Sequence, residues 1–344
     1  MKKAEAEIRL PKPLTFELLR RLSDGEFHSG EVLAQQLGVS RASVNNALHD
    51  TAQLGLTLYS VRGRGYCLNL PPQWLDVSEI NSYLEAHAKI FQIEILDEAA
   101  SSNTLLLKRA SQGEPSGSVI AVEWQSNGRG RLGRTWHSGL GNALTFSLLW
   151  RFECGLSGLS GLSLASGIAV MRAFDVLNIK GAQLKWPNDI VCEQGKIAGI
   201  LIEAQGDMLG PSAVVIGLGI NFSLPELILQ RIEQPVSDLS QLVEHLPSRN
   251  LLLATVLIKL ADVLSEFSAG GFVGLREEWE RNHYYQNRTA ELLLPDGKSI
   301  QGIVRGVNNE GGLLVEIQSE VTNEIRTFHA GEISLRSRHD NATV

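Results

Sequence analysis

Three apolar patterns at helical spacing follow one another between residues 11 and 70. Leu14, Leu18, Leu19 and Leu22 share one face of a helix that Asp24-Gly25 ends. Val32, Leu33 and Leu37 mark a second helix, opened at Ser29-Gly30-Glu31 and stopped by Gly38. Val44, Ala47 and Leu48 mark a third, with Ser40 placed as its N-cap to accept a free amide. The period then shortens, and residues 56–61 and 66–70 read as strands around a basic tip, Arg62-Gly63-Arg64-Gly65. Two helices joined at Gly38 and followed by a hairpin predict a winged helix-turn-helix, whose second helix would enter the major groove. A small helical protein-interaction domain has the same pattern. The groove-facing helix offers Ser40, Arg41, Ser43, Asn45 and Asn46, then His49 and Asp50, which is little positive charge for phosphate contacts. Arg62 and Arg64 of the wing complete the DNA-binding candidates.

Pro71-Pro72 breaks the chain and marks a linker. Beyond it, strand-like runs at 91–96, 119–124, 143–150, 182–186, 190–192, 196–203 and 213–221 are interleaved with helical patterns at 102–110, 160–177 and 250–267. Glu193-Gln194-Gly195 is a hairpin signal, so several strands pair antiparallel. The prediction is α+β, a mixed sheet with helices grouped on it, rather than a βαβ repeat. Residues 156–169, rich in Ser and Gly as well as Leu, suit a helix buried closely against that sheet. From about residue 272 a helix over 273–283, with Trp279 on its apolar side, precedes alternating strands at 291–294, 299–307, 312–318 and 324–329. Turns at Asp296-Gly297 and over 309–312 give these strands the spacing of a small β-barrel. The expected domains are residues 1–70, 75–271 and 272–338.

Composition narrows the function classes. The 344 residues are 43% hydrophobic and 20% charged, ordinary for globular domains. The net charge of -7 argues against wholesale coating of nucleic acid, yet it is uneven. Residues 1–70 hold nine Lys/Arg against seven Asp/Glu, and the remainder holds 22 against 31, which directs any nucleic-acid contact to the head. Cys67, Cys154 and Cys192 are distant and odd in number, so neither a disulfide framework nor a zinc knuckle is expected. The histidines lack metal-site spacing. With no apolar leader at the N-terminus and no membrane-length apolar run, the expected location is cytoplasmic, with no membrane partner.

The chemistry gathers around residues 123–136. Gly128-Arg129-Gly130-Arg131-Leu132-Gly133-Arg134 alternates glycines, which permit close backbone approach, with arginines, whose donor forks suit phosphate and carboxylate oxygens. The loop is neither a P-loop nor a dinucleotide fingerprint, because the lysine of one and the glycine spacing of the other are missing. A disordered Gly/Arg tract is the bland reading, but the segment is single and lies between two apolar strand-like runs. Ser101-Ser102-Asn103 begins a helix after Asp97. Lys185-Trp186-Pro187-Asn188-Asp189 puts a cation, an aromatic and a carboxylate at a strand end, and Lys196-Ile197-Ala198-Gly199-Ile200-Leu201 sets a lone lysine at the mouth of an apolar strand.

Taken in order, and with Gly217-Leu218-Gly219-Ile220-Asn221 after them, these motifs closely resemble the biotin–protein ligase family. Phe27-His28-Ser29-Gly30, the winged head and the terminal Gly331-Glu332-Ile333-Ser334-Leu335-Arg336 are similar to its bifunctional members, the biotin operon repressors. The resemblance implies a central sheet like that of class II aminoacyl-tRNA synthetases and an SH3-like C-terminal barrel. It also implies a two-step reaction: biotin and ATP, with Mg2+, form biotinyl-5′-adenylate, which then acylates a lysine of the biotin carboxyl carrier protein of acetyl-CoA carboxylase. By the same resemblance Ser101, Ser102, Asn103, Gln125, Arg129, Gly130, Arg131 and Lys196 bind biotin. Trp136, Asn188, Asn221 and Arg336 bind ATP or the adenylate, and Arg131, Lys196, Asp189 and Lys185 carry the catalysis. Leu132 departs from members with arginine there. Operator DNA and a ligand-promoted homodimer are the further partners implied, with the edges around 190–203 expected to pair. Two competing readings are a lipoate–protein ligase and a regulator that uses the adenylate only as corepressor.

Overall fold

The computed structural model describes residues 11–49, 51–294, 298–318 and 323–330, and the backbone of 334–336. Helix α1 (Pro13–Arg21) starts on a proline, whose missing N–H has no partner to lose at that position. It buries Phe16, Leu18 and Leu19. Helix α2 (Gly30–Leu37) is capped by the Ser29 hydroxyl, which accepts from the Glu31 amide, and ends at Gly38 in the left-handed region. Its inner face is Gly30, Leu33 and Ala34, with Leu37 packed alongside. Val32 is exposed, contrary to the sequence expectation, because an i, i+3, i+4, i+7 stripe that includes Leu33 and Leu37 turns position 32 outward. Helix α3 (Arg41–Leu48) is capped by Ser40, which accepts from the Ser43 amide at 3.1 Å. Strands β1 (Leu58–Val61) and β2 (Gly65–Leu68) form the antiparallel wing. A Cβ on Gly65, at φ 102°, would sit 1.9 Å from the His28 carbonyl oxygen, so only glycine fits there. Asp50 lies outside the described residues.

The head does not finish its own core. Trp124 and Leu140, from the following segment, pack with Leu18, Leu33, Val44, Leu54 and Leu68. The Leu140 amide donates to the Leu54 carbonyl at 2.8 Å, Arg231 donates to the Gln53 carbonyl at 3.0 Å, and Arg20 pairs with Asp97.

After the linker comes α4 (Val77–Leu84), where no element is expected from the sequence, capped by Asp76 and anchored by Ile80 and Leu84. The central sheet follows: β3 (Gln92–Ala99), α5 (Ser102–Ala110), β4 (Ser118–Gln125), β5 (Ala143–Phe152), α6 (Leu162–Val176), β6 (Gln183–Lys185), β7 (Asp189–Cys192), β8 (Gly195–Gly206) and β9 (Ser212–Asn221). Its strand order is β3-β4-β5-β9-β8-β7-β6. Only β3 and β4 are parallel, joined through α5, and the other neighbours are antiparallel, so the sheet is mixed as the hairpin signal predicts. Helix α7 (Glu226–Leu229) lies under the head, and α8 (Arg249–Gly270) packs on α6 and α4.

Strand alternation divides the sheet into two faces. Val119, Ala121, Leu144, Phe146, Leu148, Val214, Ile216, Leu218 and Ile220 join the core with α4, α6 and α8. Their neighbours Ile120, Val122, Leu149, Ala213 and Val215 meet Leu106 and Ala110 of α5. Farther along that second face the large side chains stop, and Ser147, Gly217 and Gly219 take their places.

The expectation that residues 190–203 form free edges needs correcting. The hairpin at Pro187 adds β6 outside β7, and β7 covers β8 as far as Gly199. Beyond the Asn188–Ile200 backbone bond, residues 201–206 of β8 have β9 on one side and, among the described residues, no strand on the other, so this half of β8 is its edge.

Helix α9 (Arg276–Arg281) and a short turn before it replace the single helix expected over 273–283, with Trp279 buried. Strands β10 (Thr289–Leu293), β11 (Ser299–Val307), β12 (Leu313–Gln318), β13 (Asn323–Phe328) and β14 (Ser334–Arg336) form an antiparallel sheet in the order β13-β12-β11-β10-β14. Asp296-Gly297 and Gly331-Glu332-Ile333 lie outside the described residues. Leu292, Val304, Leu313 and Val315 belong to the same core as the central sheet, and Trp186 Nε1 donates to the Gly311 carbonyl at 3.0 Å. Among the described residues no helix is long and apolar enough to cross a membrane.

Candidate active site

The site forms where small residues vacate the α5 face of the sheet. Ser101 caps α5, accepting from the Thr104 amide, so Ser102 and Asn103 project from its first turn. Gln125, at the end of β4, accepts from the Ser102 amide at 2.8 Å. Asn103 donates to the Leu201 carbonyl and to the Glu203 carboxylate, each at 3.1 Å. It fits only because Gly217 lacks a side chain: a Cβ there would lie 2.1 Å from Asn103 Oδ1. One leg of the Gly-Leu-Gly motif is thus a steric requirement for the α5 turn.

The arginine loop folds as a small hairpin. The Gly130 amide donates to the Arg134 carbonyl at 2.7 Å and the Trp136 amide to the Gly128 carbonyl at 2.8 Å. Leu132, at φ 55°, and Gly133, at φ 74°, make its exposed tip. Arg129 does not point freely outward: it donates to Thr104 Oγ1 at 3.0 Å and pairs with Glu203 at 2.9 Å. Arg131 donates to Asn188 Oδ1 at 3.2 Å. Burial holds its guanidinium below the ordinary value, nearby Asp189 opposes that shift and Arg134 adds to it. An anion would relieve that desolvation. The hairpin returns the chain to Trp136, whose ring lies on Gly219, where a Cβ would come within 2.4 Å of Cε2. Trp136 Nε1 is buried and has no hydrogen-bond partner among the described residues.

The two lysine motifs meet beside that ring. Lys196 Nζ lies 2.7 Å from Asp189 Oδ1 and 5.6 Å from the centre of Trp136. The lysine that reads as lone in the sequence is therefore paired, through the β7–β8 hairpin that sets the two residues side by side. Asn188 donates to the Ile200 carbonyl at 2.8 Å, leaving its oxygen to Arg131. Lys185 ends β6 directly across from Asp189, with its ammonium 5.9 Å from the ring centre of Tyr285. Asn221 is also removed from the open face: its amide donates to the Lys196 and Ser237 carbonyls at 3.1 and 2.9 Å. Arg336 ends β14 opposite Glu291, and its side chain lies outside the described residues.

In the head, Arg41 pairs with Glu31 at 3.1 Å and Arg64 stacks on Phe27 at 4.0 Å. Asn45 accepts from the Tyr66 hydroxyl, linking α3 to the wing. Asn46 and Arg62 are exposed.

Two site residues belong to no motif, and neither does a buried ion pair behind the sheet. Ser147, fully buried on β5, lies 2.7 Å from Ser102 Oγ and donates to Asn103 Oδ1 at 2.5 Å. Glu203 on β8 binds both Asn103 and Arg129. Glu123 on β4 and Arg249 on α8 make an ion pair at 2.7 Å from which solvent is excluded. Strand alternation places Ser147 on the α5 face, yet a serine in an apolar strand gives no sign of its partners.

Known proteins resemble this chain along most of its length. The family profile described as Biotin/lipoate A/B protein ligase matches residues 97–221. An HTH domain profile matches 15–67, and the Biotin protein ligase C terminal domain matches 287–336. The Bifunctional ligase/repressor BirA of Salmonella typhimurium is 37% identical over 325 residues, covering 94% of this chain and 98% of that protein. Its Escherichia coli counterpart is 35% identical, over 93% and 97%. Among solved structures, the biotin protein ligase of Aquifex aeolicus in complex with biotin and ATP is 28% identical, with a TM-score of 0.58, covering 71% of this chain and 98% of that one.

Proposed function

The chain belongs to the family of bifunctional biotin ligase/repressors, and we infer that it joins biotin to an acceptor protein and represses transcription through its helix-turn-helix head. The observation that carries the ligase reading is the convergence of Arg131, Lys196, Asp189 and Trp136 beside the Ser102–Asn103–Gln125 cluster. We read that cluster, with Ser101, as the pocket for the biotin ring. Arg129, Gly130 and Arg131 then cover the carboxylate and phosphates, and Trp136 and Asn188 border the nucleotide. Asn221 is assigned to the nucleotide through its hold on the Lys196 backbone. Arg336 and Lys185 are assigned to the nucleotide and catalytic groups on resemblance alone.

In the first step a biotin carboxylate oxygen attacks the α-phosphorus of ATP and pyrophosphate leaves. Two anions must meet, so fixed positive groups are needed where charge accumulates. Lys196 is assigned to the shared oxygens, and Arg131 to the phosphates. In the second step an acceptor lysine ε-amine attacks the acyl carbon and AMP leaves. Asp189 Oδ1 holds Lys196, and we assign its other oxygen to the incoming amine. Mg2+ is read as arriving with the polyphosphate, which commonly supplies most of its ligands; no cluster of three acidic, His or Cys groups able to hold a metal exists among the described residues.

The acceptor is assigned as the biotin carboxyl carrier protein of acetyl-CoA carboxylase, the DNA partner as a biotin operator, and the location as cytoplasmic. The central sheet is taken as class II synthetase-like, the C-terminal sheet as an SH3-like barrel, and the domains as 1–70, 75–271 and 272–338. Incubation with ATP, labelled biotin and a carrier domain should label the carrier. Label from lipoate and none from biotin would overturn the assignment.

Repression needs two heads on a palindrome, since one head presents few unpaired cations. The free half of β8 begins at Leu201 and carries Glu203, the partner of Arg129, so this edge and the arginine loop are in contact. We predict that biotin plus ATP drives pairing of this edge with its copy. Sedimentation velocity should show a monomer converting to a dimer, and an unchanged coefficient would leave a ligase with no ligand-driven assembly.

A further inference from the structure

We propose that Ser147 is a positioning residue that fixes the direction of the hydrogen bonds in the biotin pocket and so sets selectivity for the ureido ring; this rests on the biotin reading above. Ser147 lies directly across from Gly217 on β9, and Asn103 occupies the space that glycine leaves. The Asn103 amide is oriented by its other end. Its nitrogen donates to the Leu201 carbonyl and Glu203 carboxylate, which fixes Oδ1 toward Ser147.

A hydroxyl has one proton, and Asn103 Oδ1 can only accept. With its oxygen 2.5 Å from Asn103 Oδ1 and 2.7 Å from Ser102 Oγ, Ser147 shares its proton between these two acceptors. Ser102 Oγ thus accepts from Ser147, and its own proton goes to Gln125 Oε1 at 3.3 Å. Gln125 Oε1 already accepts from the Ser102 amide. The bonds therefore run outward from Ser147, on one side through Ser102 to Gln125 and on the other through Asn103 to Glu203. Ser102 is left with one lone pair for a ligand, and Gln125 with its amide N–H groups. A cyclic urea places N–H donors beside a carbonyl acceptor and matches that pattern. A cyclic guanidine places a cationic donor where the carbonyl would be.

Without the Ser147 hydroxyl, the Ser102 proton can turn toward the ligand and Asn103 Oδ1 loses its buried donor. Ser147→Ala should weaken biotin binding about tenfold by titration calorimetry, the scale of an unsatisfied buried acceptor. It should leave the KM for ATP within about twofold and narrow the preference for biotin over 2-iminobiotin, which carries the guanidine, by about fivefold. Ser147→Cys, close in volume and a weaker donor, should fall between. Ser166→Ala is the control, a fully buried serine whose hydroxyl donates to the Leu162 carbonyl of its own helix, and it should leave the preference unchanged. If Ser147→Ala and Ser147→Cys lower the melting temperature yet keep the wild-type preference, Ser147 only fills space and the proposal is overturned. A wild-type protein that binds no biotin would instead overturn the ligase reading on which it rests.

Discussion

Lys196→Ala should lower the rate of adenylate formation by roughly two to three orders of magnitude, the cost of removing one preorganised donor from a transition state, about 3 to 4 kcal/mol. The reason is geometric. Lys196 Nζ is held by Asp189 at 2.7 Å, beside Trp136 and one residue-pair away from the Arg131–Asn188 bond. Holding the ammonium in place beforehand means that no reorganisation is needed when the carboxylate and α-phosphate approach. Arg131 is not free to substitute, because its guanidinium is engaged with Asn188 at 3.2 Å. Binding of biotin alone should weaken far less than the rate falls. The check is biotin-dependent exchange of labelled pyrophosphate into ATP, with biotin affinity measured in parallel. Exchange within a few-fold of wild type would remove Lys196 from the chemistry, and an equal loss in affinity and rate would make it a binding residue only.

The largest stability effect is expected at Arg249→Ala. Arg249 and Glu123 are both inaccessible to solvent. Arg249 donates to the Gln73 carbonyl at 2.6 Å and the Ala143 carbonyl at 2.9 Å as well as to Glu123, and Glu123 accepts from the Leu75 amide at 2.6 Å. The pair fastens the linker after the head to β4, β5 and the start of α8. Truncating one partner strands a buried charge, which costs about 3 to 5 kcal/mol. The melting temperature should fall by about 10 °C. A double change, Glu123→Leu with Arg249→Met, should recover much of the loss, since apolar pairs of similar size often replace buried ion pairs without net cost. Loss of no more than about 1 kcal/mol in the single variant would mean that water reaches Glu123.

Neither Glu123 nor Arg249 draws notice in the sequence, and the contrast with the motifs is instructive. Local pattern was enough wherever neighbours in the chain decide the outcome. Ser29 and Ser40 read as caps because a hydroxyl before an apolar helical stripe accepts amides two or three residues on. The strands at 119–124, 143–150 and 213–221 read from their continuous apolar runs. The arginine loop read as an anion holder from residue type, and the Ser-Ser-Asn and lysine motifs gained their meaning from their order along the chain. Helix α4 escaped because its stripe is only Ile80 and Leu84.

Tertiary structure decided everything that depends on which distant residues meet. Lys196 became half of an ion pair because β7 and β8 fold back on one another. Asn221 turned inward to hold the Lys196 and Ser237 carbonyls. The edge at 190–203 shrank to 201–206 once β6 was laid beside β7. Trp124 and Leu140 left the central core for the head's. Ser147 met Ser102 and Asn103 across 45 and 44 residues of chain. A hydrogen bond or a buried charge needs its partner within about 3 Å, and at such separations in sequence only the packed fold sets that distance.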